Sequence, residues 1–223
     1  MELRTMKIVY WSDYACPYCY IGEARLKKAG QALNIPLEME MRSFELDPSA
    51  PRKADGDTQT RFARKYGLSL EAAGKQIENI SRMGRDEGLD FRYATARFTN
   101  TMDAHRLTKL AQSTGDAALT ERLIEALFKA YFTDNEELGD RALLQRIGTE
   151  AGLDAGEVEG LLSSDRFEAE VRQDEREAAE LGVQGVPFFA VAGRYAISGA
   201  QPIERMKAAL LKALEEADGP QKA

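Results

Sequence analysis

The sequence predicts an α/β protein with a long all-helical insertion between its second and third strands. Residues 6–46 read as strand, helix, strand. From Gln59 to Gly182 the apolar spacing is helical, and after Gly182 two short β-rich runs precede a last helix. Removing the helical block leaves a compact α/β remainder, which divides the chain into 1–58, 59–181 and 182–223.

The first strand is "MKIVYW" at 6–11, apolar and rich in β-formers, broken by Ser12 and Asp13. A helix follows from Pro17 to about Leu33, with Ile21, Ala24, Leu26, Ala29 and Leu33 at roughly helical spacing; Asn34 ends it. After Pro36, Leu37, Met39 and Met41 alternate with Glu38, Glu40 and Arg42, the period of a half-buried strand. This strand–helix–strand opening favours a partly parallel sheet. Residues 47–58, "DPSAPRKADGDT", are a loop.

The block from Gln59 reads as helical throughout, cut into helix-length pieces by Gly67, Gly88, Gly115, Gly139 and Gly152. Leu119, Leu123, Leu127 and Tyr131 step by four, and Phe167, Val171, Ala178 and Leu181 mark another inward face. "RQDEREAAE" at 172–180 reads as a solvated helix face. Strands are expected at Phe188–Val191 and Tyr195–Ser198 around a turn at Gly193, then a helix from Pro202 to about Leu214. Met1–Thr5 reads as a frayed start and "DGPQKA" as a disordered tail.

Composition narrows the function. The 223 residues are 43% hydrophobic and 30% charged, with net charge −7 and a pI near 5.0. That field repels phosphate backbones, so nucleic acid is an unsuitable partner. No apolar run approaches the ~20 residues of a membrane span, so no membrane partner is expected. The N-terminus does not read as a secretory signal. The expected location is cytoplasmic, where thiols are kept reduced. Nothing in the sequence signals an oligomeric state.

Both cysteines lie in "YWSDYACPYCYIG" at 10–22. With Cys16 as N-cap, Pro17 falls at N1, where its fixed φ suits the helix. The N–H groups of Tyr18 and Cys19 then lack intrahelical partners, and the Cys16 sulfur is placed to accept from them. The helix dipole adds to this, and both effects favour the thiolate; acidic Asp13 opposes them. Cys16 is therefore the expected nucleophile of disulfide exchange. Cys19, three residues on, shares the helix face and is the resolving thiol. A zinc site needs about four ligands, and Cys16, Cys19 and the single histidine, His105, supply three. No metal is expected. An inert buried pair is the remaining bland reading.

"DYACPYCYIG" at 13–22, "NTMDAHRL" at 100–107, "GVQGVPFF" at 182–189 and "ISGAQP" at 197–202 together resemble the FrnE-like branch of the DsbA family. The resemblance implies a thioredoxin-like fold carrying the helical insertion. It implies a thiol–disulfide oxidoreductase or isomerase acting on protein or small-molecule thiols and disulfides. Cys16 matches the family's nucleophile and Cys19 its resolving thiol. Val186–Pro187 matches a cis-proline loop facing the dithiol, which with Pro17 and Tyr18 would contact substrate. From the residues alone, Pro187 reads as a strand-initiating proline. Asn100, Thr101, Asp103 and His105 match the family's signature at the start of an insert helix near the dithiol; Asn100 or Thr101 also reads as an N-cap, and His105 as a structural residue. Asp13 joins these near-site candidates.

Pro17-Tyr18 is also the dipeptide glutaredoxins carry between their cysteines, which points to glutathione as redox partner, with no other cofactor. By that analogy the potential falls nearer about −200 mV than the about −120 mV of DsbA. Two alternatives share the architecture. One is a glutathione-dependent isomerase or transferase, of the 2-hydroxychromene-2-carboxylate isomerase or kappa type; these typically place Ser where Cys16 stands. The other is a non-enzymatic chaperone holding polypeptide near Pro187.

Overall fold

The computed structural model describes residues 5–218. The readings made for Met1–Arg4 and Gly219–Ala223 lie outside these residues. The strands are β1 (Met6–Ser12), β2 (Leu37–Ser43), β3 (Phe188–Val191) and β4 (Tyr195–Ser198). Helix α1 (Pro17–Ala32) joins β1 to β2, and α9 (Ile203–Asp218) follows β4. Between β2 and β3 run α2 (Thr58–Tyr66), α3 (Leu70–Asp86), α4 (Met102–Ser113), α5 (Ala117–Phe132), α6 (Arg141–Ala151), α7 (Ala155–Leu162) and α8 (Glu168–Glu180).

The sheet order is β2-β1-β3-β4. β1 is central and pairs parallel with β2 and antiparallel with β3; β3 and β4 are antiparallel. Ile8 faces Met39 on one side and Val191 on the other. Helices α1 and α9 pack together, and α9 also meets β3 and β4. The buried core runs without a break from Ile8 and Phe189 of the sheet to Leu127 and Leu144 of the helices. No helix among the described residues is long and apolar enough to cross a membrane.

The helices of the block start where the sequence provides caps. Asp57, Ser69, Asp116, Asp140 and Asp154 each accept a backbone N–H from their own first turn. Gly67 and Gly152 close α2 and α6 in the left-handed conformation. Gly139 acts differently: a Cβ there would lie 1.9 Å from the Arg52 carbonyl oxygen, so the loop of 47–58 rests directly on its backbone.

Three expectations need correction. The block is not helical throughout: between α3 and α4 only Tyr93–Thr95 form a single 3₁₀ turn. This segment buries Phe91 and Ala96, and its backbone is satisfied by the end of α5, where Arg92 N–H donates to Phe132 O (2.7 Å) and Thr133 Oγ1 to Asp90 O (2.6 Å). Leu181 is 63% exposed, because α8 ends at Glu180 and the chain turns at Gly182 with φ 72°. The charged face of α8 is not all solvated: Asp174 is 1% exposed and serves as a buried acceptor beneath β2.

Candidate functional site

Cys16 is the N-cap of α1, with φ −92° and ψ 111°, and Pro17 opens the helix. Its backbone N–H donates to Asp13 O, and its carbonyl accepts from Cys19 N–H, both at 3.0 Å. The Cys16 sulfur makes no cap bond. It donates instead to the carbonyl of Val186 at 3.4 Å. This corrects the expectation that the sulfur accepts from the first-turn N–H groups. Cys19 N–H is taken by the Cys16 carbonyl, and the protonated thiol has a proton to give, for which Val186 O is in reach.

Both cysteines are free, and they lie 3.5 Å apart. Cys19 is 1% exposed, and its sulfur accepts from Asp13 N–H at 3.4 Å. Burial pushes the Cys19 thiol well above its ordinary value, and neighbouring Cys16 adds to this; Ser12 and the Asp13 N–H oppose it.

The Val186–Pro187 peptide is cis. Pro187 O accepts from Gly199 N–H at 2.8 Å, tying the loop to the end of β4. Gly22, one turn beyond the dithiol, lets α1 approach this loop. A Cβ at 22 would lie 3.0 Å from Pro187 Cγ and 3.3 Å from Phe189 Cζ.

Beneath the dithiol is a buried polar chain. Asp13 Oδ1 lies 3.3 Å from His105 Nε2 and accepts from Ala15 N–H at 3.3 Å; Oδ2 accepts from Leu46 N–H at 2.8 Å. His105 is fully buried, its ring packed on Tyr14 at 5.1 Å between centroids. Tyr14 in turn bonds Thr108 through its hydroxyl. Glu45 lies near this chain, within the electrostatic influence of His105. Its Oε2 meets Arg172 Nη1 at 2.6 Å and its Oε1 accepts from Asn100 Nδ2 at 3.3 Å. Burial raises the Glu45 carboxyl above its ordinary value, with His105 and Arg172 offsetting part of that rise.

Asp13 and His105 thus lie together under Cys19, while Asn100 bonds Glu45 and not Asp13 or His105. Thr101 is the buried N-cap of α4 but makes no side-chain cap bond; Asn100 Oδ1 accepts from Met102 N–H instead, at 3.0 Å.

Cys16, but not Cys19, lines a cavity of about 460 Å³. Pro17, Tyr18 and Val186 flank it on the dithiol side. Its far wall comes from the helical block, chiefly Arg61, Phe62, Lys65 and Tyr66 of α2, with Tyr93 and Phe98. Sequence reading did not single out these residues, nor Glu45 and Arg172. The pairs Arg61/Lys65 and Phe62/Tyr66, each at i,i+4 on one short helix, were the available signal for the wall. Nothing local marks Glu45 as buried.

A sheet with a parallel β1–β2 pair and an antiparallel β3–β4 hairpin, a dithiol at the start of α1 and a cis-proline loop facing it define a thioredoxin-like fold. Into it a block of helices is inserted. The DSBA-like thioredoxin domain model matches residues 7–211, and the chain belongs to that family. A probable DsbA oxidoreductase from Streptomyces coelicolor is 39% identical, covering 98% of this chain and 93% of its own, with a TM-score of 0.89. A 2-hydroxychromene-2-carboxylate isomerase shares the fold at 16% identity and a TM-score of 0.69, with 95% and 98% covered. So does the cytosolic disulfide reductase DsbM of Pseudomonas aeruginosa, solved with GSH, at 18% identity and 0.64, with 94% and 99% covered.

Proposed function

We propose that this chain is a thiol–disulfide oxidoreductase of the FrnE-like branch, exchanging disulfides with protein or small-molecule substrates through Cys16 and Cys19. The observation that carries this reading is the asymmetric dithiol: two free thiols 3.5 Å apart, of which Cys16 alone lines the cavity. Cys16 loses its proton to solvent and attacks a substrate disulfide, and one substrate thiolate leaves. Cys19 then loses its proton, attacks Cys16 Sγ and releases the second thiolate, closing the Cys16–Cys19 disulfide. Val186 and Pro187 line the approach of the substrate, with Pro17 and Tyr18 opposite. Asp13 and His105 hold Cys19 from behind and touch no substrate.

Glutathione is the reductant in this reading, by analogy with DsbM, and a cytoplasmic setting goes with it. The helical segment 59–181 is the part that shapes the site for its substrate. The presence of a second thiol at Cys19 favours exchange over the glutathione-dependent isomerase chemistry found on the same fold.

The test is reduction of insulin and of glutathione mixed disulfides by the intact chain, Cys16→Ser and Cys19→Ser. Cys16→Ser is expected to be inactive. Cys19→Ser is expected to accumulate a mixed disulfide detectable by mass. Equal rates for all three proteins would overturn the reading.

A further inference from the structure

The cavity beside Cys16 has a charge pattern unlike that of the rest of the molecule. The chain carries 37 acidic and 30 basic residues. Yet the side chains lining this cavity, among the described residues, include two cations, Arg61 and Lys65, and no carboxylate. The rest of the lining is largely aromatic or aliphatic, and the exposed Tyr18, Tyr66 and Leu68 form its rim. Arg61 is held over the Phe98 ring and lies 3.5 Å from Asp47, so its position is fixed and its charge partly shared. Lys65 is exposed, 5.7 Å from the Tyr66 ring, and no carboxylate among the described residues pairs with it. An aromatic surface with a cation at its edge matches a flat apolar body bearing a negative charge. A volume of about 460 Å³ is that of a small-molecule site.

Building on the dithiol reading above, we infer that the substrate is a low-molecular-weight disulfide with an aromatic or flat apolar body and an anionic group. Its disulfide faces Cys16, and Lys65, assisted by Arg61, selects the anion. The dithiol supplies the two electrons. Cys16 gives its proton to solvent and attacks one sulfur as the thiolate; the substrate S–S bond breaks and one anionic thiolate departs. Cys19 gives its proton to solvent, bonds to Cys16 Sγ and displaces the second thiolate.

The experiment compares two aromatic disulfides in stopped flow with the reduced protein: dithiobis-nitrobenzoate, which is anionic, and dithiodipyridine, which is neutral. The readout is the ratio of their second-order rate constants, so intrinsic reactivity cancels between proteins. Lys65→Glu is expected to lower that ratio about tenfold and Lys65→Gln about threefold, the scale of local electrostatic steering. Lys207→Glu, on α9 and outside the cavity, is expected to change it less than about twofold because solvent screens distant charges. An unchanged ratio in Lys65→Glu overturns the inference, and leaves the cavity as a seat for a polypeptide side chain. Calorimetric binding of dithiobis-nitrobenzoate to a Cys16→Ser, Cys19→Ser double variant asks the same question without chemistry. Binding there that Lys65→Glu weakens several-fold supports the anion-selecting cavity separately from the dithiol reading, which the insulin assay tests; binding indifferent to Lys65→Glu overturns the inference even if the dithiol is active.

Discussion

His105 Nε2 lies 3.3 Å from Asp13 Oδ1, and the backbone N–H of the same Asp13 reaches Cys19 Sγ at 3.4 Å. One residue therefore joins the lone histidine of the inserted helices to the Cys19 sulfur of α1. Removing the ring leaves Asp13 Oδ1 with only the Ala15 N–H at 3.3 Å. His105→Ala should lower stability by about 1–3 kcal/mol, the cost of leaving a buried polar group short of a partner. His105→Gln should recover part of this, because its amide can donate to the same oxygen. Urea unfolding of the three proteins checks it; a His105→Ala midpoint equal to that of the parent would refute the role.

Cys19 should behave as a buried thiol whose proton is hard to remove. Burial raises it well above its ordinary value, and Cys16 beside it raises it further. Iodoacetamide near neutral pH is expected to label Cys16 and spare Cys19, as peptide mapping by mass would show. The unfolded chain gives up this proton first. The stability tied to the Cys19 proton is thus fully present below the unfolded thiol's value of about 8.5 and is lost as pH rises from there through the folded value. Denaturation midpoints of the reduced protein should fall over that interval, and Cys19→Ala should flatten the fall. Parallel curves for the two proteins would count against it.

The sheet and the dithiol were legible because local patterns carry them. Phe188–Val191 and Tyr195–Ser198 form strands with the bounds their composition and turn residues suggest, and Cys16 caps α1 because Pro17 suits the first helical position. What escaped depends on partners remote in sequence. Asp174 looks like a surface acid until Ser43 N–H and Lys109 are seen against it. Glu45 follows an alternating strand, and its burial is explained by remote partners, Arg172 and Asn100, 127 and 55 positions on. The irregular stretch before α4 takes its helical reading from the periodic block around it, whereas its own buried Phe91 and Ala96 serve to pack a loop.

Gly22 sets how closely α1 approaches the cis-proline loop. With Pro187 Cγ 3.0 Å and Phe189 Cζ 3.3 Å from a hypothetical Cβ, a branched side chain has no room. Gly22→Val should cost about 1–3 kcal/mol through overpacking. It should also weaken the contact between Cys16 and Val186 O, now 3.4 Å, by pushing the loop outward. Thermal unfolding together with the Cys16 alkylation rate tests this. An unaltered alkylation rate in a destabilised Gly22→Val would show that the glycine serves packing alone.

Asp174 pins α8 to the edge strand β2 and to α4. It is 1% exposed. Oδ2 accepts from Ser43 N–H at 2.7 Å and pairs with Lys109 Nζ, Oδ1 meets Arg42 Nη1 at 3.2 Å, and the Asp174 carbonyl accepts from Trp11 Nε1 at 2.9 Å. Asp174→Ala keeps the last bond, which is backbone, but strands the Lys109 ammonium, whose side chain is 10% exposed. Breaking one side of a buried ion pair costs about 3–5 kcal/mol, whereas replacing both partners by apolar groups is often near neutral. Asp174→Ala should therefore lose several times more stability than the Asp174→Ala, Lys109→Met double variant. Chemical denaturation of the two proteins decides it. If the double variant is as unstable as the single one, the stranded Lys109 charge is not the cause, and the loss lies with Ser43 N–H and Arg42, which both variants leave without Asp174.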